Sequence, residues 1–130
     1  MYVKTHLINI AFISLIIFST VLSDCSTDDA TKVESCYDTY MSTLNVSTIT
    51  FNNYQAAITN LQQTWPGIGE FCHIQWDLEN CLKPYKNCMD KNNFTKVPTF
   101  GGNNAGDYIG NYYESVYMCG NGYSCKFAEV

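Results

Sequence analysis

The seven cysteines are the residues of this chain with the clearest chemical potential. Thiols at this density either pair as disulfides or bind a metal ion. No two cysteines are separated by two residues as in a CxxC motif, and His73 is the only histidine after residue 23. We therefore predict disulfides, and expect no metal site and no cofactor. The seven are Cys25, Cys36, Cys72, Cys81, Cys88, Cys119 and Cys125.

The positions of two cysteines restrict how they pair. Cys72 and Cys81 lie in one predicted helix, and at about 100° per residue they face opposite sides of it. They cannot pair with each other, so each must reach a different element. An odd number of cysteines leaves one thiol over, and several pairings of the others stay open. A local bridge between Cys119 and Cys125 is one of them.

Few side chains are placed for acid–base chemistry. Asp77 follows His73 by one helical turn, where a carboxylate can orient an imidazole, and Glu70, Asp77 and Glu79 form an acidic group of the kind that glycosidases use. No GxSxG motif or other hydrolase signature accompanies them, and acyl transfer needs a nucleophile beside a base. We interpret these residues as solvated surface, predict no catalytic residue, and expect that the protein is not an enzyme.

Residues 1–23 have the three parts of a secretory signal peptide. Lys4 gives a charged start, an apolar centre follows, and small residues precede Asp24. A transmembrane anchor needs roughly 20 continuous apolar residues, whereas Asn9 and Ser14 interrupt this run. No later segment is apolar enough to span a membrane. We predict cleavage after residue 23 and a single secreted, extracellular domain over residues 24–130.

The charge argues against two classes of partner, and two sequons agree with secretion. All seven basic residues are lysines, and twelve acidic residues give a formal net charge of −5, so nucleic acid and anionic membranes are not expected as partners. Asn45-Val46-Ser47 and Asn93-Phe94-Thr95 are N-glycosylation sequons. Asn45 and Asn93 are therefore predicted glycan sites on the surface.

Apolar residues at helical spacing predict an all-α fold. They favour a small disulfide-bonded bundle of about four helices, with a long exposed loop over residues 92–107 before the last helix. No alternating strand pattern of useful length occurs. The predicted helices cover about residues 29–45, 51–65, 68–83 and 105–118.

Caps and helix breakers set the predicted boundaries. Ser26, Thr27 or Asp28 can cap the first helix, and Thr50 or Asn52 can cap the second. We expect Pro66-Gly67 to end the second helix, because the residue before a proline avoids the helical region. Gly120 and Gly122 are expected to end the last helix in the left-handed conformation.

Tyrosine is abundant, with ten residues in the chain. At helical spacing these side chains are typical of a core, while a ligand pocket or an adhesive surface stays as an alternative because tyrosine joins apolar area to a polar tip. Tyr112 and Tyr113 are adjacent and point about 100° apart on a helix, so we expect at least one of them at the surface.

Three segments resemble a known family. Glu34-Ser35-Cys36-Tyr37, Leu78-Glu79-Asn80-Cys81-Leu82 and Tyr117-Met118-Cys119-Gly120-Asn121-Gly122-Tyr123 are similar to segments of the small secreted nematode proteins grouped as domain of unknown function nineteen. The resemblance covers about residues 25–123. It implies a secreted helical domain with no established catalytic residue and a role in defence or in an environmental response.

The resemblance also implies which cysteines form the framework. The family pattern has six, which here are Cys25, Cys36, Cys72, Cys81, Cys88 and Cys119, and it leaves Cys125 as an extra thiol that can stay free or link two chains as a covalent homodimer. Our functional hypothesis is a non-enzymatic interaction module for an extracellular protein or glycan. The alternative is a carrier of a small hydrophobic ligand, because braced helical bundles can enclose an apolar cavity.

Overall fold

A computed structural model describes residues 24–122, which form helices and contain no strand. The predicted signal peptide and Cys125 lie outside these residues. The predicted fold class, a small all-α bundle with disulfide bonds, is confirmed. Its helices are α1 (Thr27–Thr43), α2 (Phe51–Leu61), α3 (Trp65–Leu82), the single turn α4 (Lys91–Phe94) and α5 (Ala105–Tyr117). A 3₁₀ helix (Lys83–Cys88) continues α3, and a π-helical turn (Met118–Gly122) continues α5.

Side-chain oxygens start the helices where the sequence offers caps. Ser26 accepts a hydrogen bond from the backbone N–H of Asp29 at 3.0 Å, and Thr50 accepts one from Asn53 at 3.2 Å. Both residues are among the candidate caps that the sequence offered, and each satisfies one of the N–H groups that a helix start leaves unpaired.

The predicted boundary between the second and third helices is wrong. Helix α2 ends at Leu61, and Pro66 lies in the first turn of α3. Thr64 caps α3 by accepting a hydrogen bond from the N–H of Gly67 at 3.2 Å. A proline fits the first helical turn because its missing N–H would be unpaired there in any case, so Trp65-Pro66 begins a helix here.

Two other local predictions need correction. The segment 92–107 is not exposed throughout, because it contains α4 and buries Phe94, Val97 and Phe100 in the core. Gly120 and Gly122 do not form a left-handed cap: α5 continues into the π-helical turn, and no glycine within residues 24–122 has a positive φ.

The left-handed helix end is found at α1 instead. Asn45 has φ 58°, its N–H donates to the carbonyl of Ser42 at 3.0 Å, and the N–H of Val46 donates to the carbonyl of Met41 at 2.9 Å. These two bonds make a Schellman motif, in which asparagine can replace the usual glycine. The end of α1 therefore has a fixed backbone conformation.

Three disulfides join the framework cysteines that the resemblance implied. The pairs are Cys25–Cys88, Cys36–Cys81 and Cys72–Cys119, with Cα separations of 4.8, 5.8 and 5.1 Å. Each bridge has one cysteine within residues 72–88, so α3 and its 3₁₀ extension are the common anchor. Cys72 and Cys81 pair with different elements, as their helical positions predicted, and the alternative bridge from Cys119 to Cys125 does not form.

Aromatic rings fill the centre of the bundle. The buried ring of Tyr37 lies 5.3 Å from Phe94, 5.1 Å from Phe100 and 6.2 Å from Tyr108. Tyr54 packs against Tyr108 at 5.5 Å. These contacts connect α1, α2, α5 and the segment after α4, which explains why that segment is held down despite its glycines and proline.

The segment that follows α4 is also tied to the start of the chain. Lys96 Nζ forms a salt bridge with Asp24 at 2.6 Å and donates to the carbonyl of Cys25 at 3.2 Å. The backbone N–H of Thr99 donates to the Glu34 carboxylate at 3.0 Å. Polar contacts therefore fix this segment on the outside while Phe94, Val97 and Phe100 hold it on the inside.

Candidate functional site

The tyrosines divide into a core set and a surface set. Tyr37, Tyr40, Tyr54 and Tyr108 are buried, in agreement with the core interpretation. Tyr113 and Tyr117 are 53% and 68% exposed. These two, one turn apart on α5, are called the tyrosine face below. The expectation that Tyr112 or Tyr113 reaches the surface is confirmed.

A groove lies beside the tyrosine face, between α5 and the end of α3. Its volume is about 430 Å³, and Tyr113 is fixed at its rim because the tyrosine hydroxyl donates to the carbonyl of Met89 at 2.7 Å. We call it the α3–α5 groove. Its lining residues are Glu79, Asn80, Lys83, Lys86, Met89, Tyr112, Tyr113 and Val116.

Two titratable groups in the α3–α5 groove have raised pKa values because they are partly buried. Burial raises the pKa of Glu79, and burial together with the charge of Glu79 raises the pKa of Tyr112 to about 12. Lys83 and Lys86 are exposed and form no ion pair with any described residue. The groove therefore joins an apolar wall, a half-buried carboxyl and two ammonium groups that are available to an anionic partner.

The residues considered for catalysis do not converge. His73 and Asp77 are exposed on α3, and the ring of His73 lies beside that of Trp76, with ring centres 6.5 Å apart. Glu70 is exposed and lines a different groove from Glu79. Within residues 24–122, no three His, Cys, Asp or Glu side chains are grouped to hold a metal ion.

The two sequon asparagines have different environments. Asn45 is exposed, and its side-chain amide makes no hydrogen bond to a described residue. Asn93 is half-buried, and its Nδ2 donates to the carbonyl of Asn87 at 2.9 Å and to Asp90 Oδ2 at 2.7 Å. Both N–H groups of the Asn93 amide are therefore used in the fold, whereas the Asn45 amide is available.

A second groove begins at Asn45. It lies between the loop after α1 and helix α2, has a volume of about 560 Å³, and is called the α1–α2 groove. Leu44, Val46, Ala57, Leu61 and Ile74 form its apolar part, and Glu70 is its only charged residue. The remaining lining is Thr43, Asn45, Ser47, Thr48, Asn53, Ala56 and Asn60.

Sequence reasoning did not find either groove. Lys83 and Lys86 flank Pro84 without any motif, and nothing in the sequence placed them against α5. The pairing of Cys72 with Cys119 would have supplied that placement, because it brings α3 and α5 together. The sequence alone, however, did not determine which cysteine pairs with Cys72.

No helix among residues 24–122 has the length and apolar character needed to cross a membrane. Comparison with protein-family models, with curated proteins and with solved structures finds no match to this chain.

Proposed function

We propose that this is a secreted, non-enzymatic protein that binds an extracellular partner through the tyrosine face and the adjacent α3–α5 groove. The observation that carries the proposal is the exposure of Tyr113 and Tyr117, at 53% and 68%, beside a groove that holds two unpaired lysines. Large aromatic side chains are costly to leave in water and are enriched at the centres of protein interfaces.

The chemistry of the groove indicates the kind of partner. Tyr112 and Val116 offer apolar contact, and Lys83 and Lys86 are placed to meet carboxylates. A partner protein with an acidic and apolar segment fits both features, since complementary charge gives specificity and a faster encounter. A glycan is the other partner class, and it would stack on the tyrosine rings without needing the lysines.

Site-specific photocrosslinking tests this proposal. A benzophenone amino acid at position 117 of the secreted full chain should give a discrete crosslinked protein species from extracellular fluid, and unlabelled wild-type protein should compete it away. Competitors carrying Tyr117→Ser or Lys83→Glu should be weaker. The matched control is the same probe at Ile49, another exposed apolar residue. Equal crosslinking from positions 49 and 117 would contradict the proposal, and a product that carries only carbohydrate would replace the protein partner with a glycan.

The proposed secretion is supported by the signal-like segment 1–23 and by three disulfides, which persist in oxidising compartments. Expression in a eukaryotic host should deliver the protein to the medium with Asp24 as its first residue. N-terminal sequencing checks this, and a retained leader would contradict it.

We also propose a relationship to the nematode family that the sequence resembles, and with it a role in defence or in an environmental response. Its support is that the six cysteines of the family pattern pair completely with one another. A solved structure of a family member with the same three pairs would support the relationship, and a different pairing would argue against it.

The carrier alternative has less support from the described residues. Aromatic side chains fill the core, and both grooves have many polar residues in their linings. Intact mass measurement under native and then denaturing conditions separates the two functions. A small molecule that leaves on denaturation would favour a carrier, and its absence would favour the interaction module.

A further inference from the structure

We propose that the first sugars of an N-linked glycan on Asn45 lie in the α1–α2 groove and hold the loop after α1 against helix α2. The groove then binds the protein's own carbohydrate and not a separate ligand. This inference rests on the secretion proposed above, because N-glycosylation requires entry into the secretory pathway.

The attachment point belongs to the lining of the groove and has a fixed backbone. The Schellman motif at the end of α1 holds Asn45 at φ 58°, so the direction in which its side chain leaves the backbone is set by the fold. Asn45, Val46 and Ser47, the whole sequon, line the groove. A sugar on Asn45 Nδ2 displaces no hydrogen bond made by the described residues.

The lining has both apolar and polar residues, and so can match the apolar face and the polar groups of a sugar ring. Leu44, Ala57 and Ile74 provide an apolar surface for the C–H face of a sugar, while the amides of Asn53 and Asn60 can bond its hydroxyl and acetamide groups. The volume of about 560 Å³ lies within the roughly 300–1,000 Å³ range of small-molecule pockets. An uncharged sugar also suits a groove with a single charged residue, Glu70.

Helix α2 is the element that gains most from such a contact. It contains no cysteine, so none of the disulfides holds it. A glycan that contacts both the loop after α1 and α2 would add a link across this part of the bundle. The competing occupants, a free saccharide or a partner protein, would leave the Asn45 glycan pointing into solvent.

The test measures how well the folded protein protects the Asn45 glycan from enzymatic release. The full chain is secreted from a eukaryotic host, and the rate at which peptide-N-glycosidase releases the glycan is measured under native conditions. Ala56→Trp fills the groove while keeping the sequon, and Gln55→Trp is the matched control because Gln55 is the exposed neighbour that lines a different groove.

We expect the glycan of the wild-type protein and of Gln55→Trp to be released about tenfold more slowly than that of Ala56→Trp, a factor equivalent to about 1.4 kcal/mol. Asn45→Gln and Ser47→Ala, which both remove the glycan, should each speed amide hydrogen exchange in residues 44–61. Agreement between these two variants separates loss of the sugar from loss of one side chain.

Three outcomes would overturn the inference. The first is equal release from all three proteins, and the second is unchanged exchange in residues 44–61 after loss of the glycan. The third is a secreted protein with Asn45 unmodified, which leaves the proposed function standing. Failure of the proposed secretion is distinguishable, because the leader would then be retained and both sequons would be empty. Failure of the proposed interaction is read from the crosslinking experiment, which does not depend on the glycan.

Discussion

The buried tyrosine hydroxyl groups of the core differ in whether they have a hydrogen-bond partner. Tyr40 donates to Oε1 of the fully buried Gln75 at 3.0 Å, and Tyr54 donates to Asn111. The hydroxyl of Tyr37 is buried in the same core and has no hydrogen-bond partner. Buried polar atoms stabilise a fold only when they are paired, so these tyrosines should respond differently to removal of the hydroxyl.

We expect Tyr40→Phe to lower the free energy of unfolding by about 1–3 kcal/mol, because the carbonyl of Gln75 would stay buried without its donor. Tyr37→Phe is the matched control, since it removes an unpaired hydroxyl from the same core and should be neutral or stabilising. Urea unfolding of both variants checks this. A Tyr37→Phe protein that loses as much stability as Tyr40→Phe would show that the Tyr37 hydroxyl has a partner.

At this scale the sequence predicted apolar residues better than polar ones. The stripe of Tyr37, Tyr40 and Met41 follows from helical spacing, and it is buried. Gln75 is also fully buried, but a glutamine on a helix carries no signal for burial. Its position depends on the Tyr40 hydroxyl, which belongs to another helix, so only the packed structure reveals it.

Close backbone contact decides how α2 meets α3. A Cβ atom on Gly67 would lie 2.0 Å from the carbonyl oxygen of Leu61, whereas a Cβ on Gly110 in α5 would meet nothing within 4 Å. The same residue type therefore has opposite roles in these two helices. Gly67 permits the tight turn into α3, and Gly110 only weakens α5.

The matched substitutions Gly67→Ala and Gly110→Ala test this contrast. Gly67→Ala should lower the melting temperature because the backbone of Leu61 must move away from the new methyl group. Gly110→Ala should stabilise the protein by up to about 1 kcal/mol, the difference in helix propensity between glycine and alanine. Thermal unfolding followed by circular dichroism measures both, and a stabilised Gly67→Ala protein would contradict the close approach of Gly67 to the Leu61 carbonyl.

The elements were predictable where one pattern dominated. Helices α1, α3 and α5 follow their apolar stripes, and their ends lie within a few residues of the predicted ones. The end of α2 was misplaced because Pro66 can either stop a helix or begin one, and the cap at Thr64 decides between them. The segment 92–107 was predicted to be exposed because its glycines and Pro98 outweighed Phe94 and Phe100.

Across the whole molecule, burial of phenols links stability to alkaline pH. Burial raises the pKa of Tyr37, Tyr40, Tyr54 and Tyr108, and it raises that of Tyr112 to about 12. Each phenol keeps its proton in the folded state at a pH where the unfolded chain has lost it. The stability they contribute is therefore complete below about pH 10, the ordinary tyrosine value, and falls as the pH rises beyond it.

We expect the free energy of unfolding to decline steadily above about pH 10. Part of the phenolate absorbance at 295 nm should appear only when the bundle unfolds. A titration in which all nine tyrosines after residue 23 ionise together while the far-ultraviolet circular dichroism is unchanged would contradict the buried aromatic core.

The disulfide framework gives the second prediction for the whole molecule. The double variant Cys36→Ala/Cys81→Ala should lose about 2–5 kcal/mol of stability, as is usual when a native disulfide is removed from a small domain. Cys125→Ser should leave the stability of the bundle unchanged and should abolish any covalent homodimer. Guanidinium unfolding and non-reducing intact mass measure these effects, and a destabilised Cys125→Ser protein would place that residue within the framework.

The arrangement of the three disulfides also determines whether cleavage by a protease releases a fragment. Because each pair joins residues 72–88 to a distant segment, a single cut anywhere between Cys25 and Cys119 leaves one covalently connected molecule. Two cuts on either side of α2 are needed to release that helix, which has no cysteine. A form that is cut once in this range should therefore stay one molecule, with no fragment lost, until a reducing agent is added.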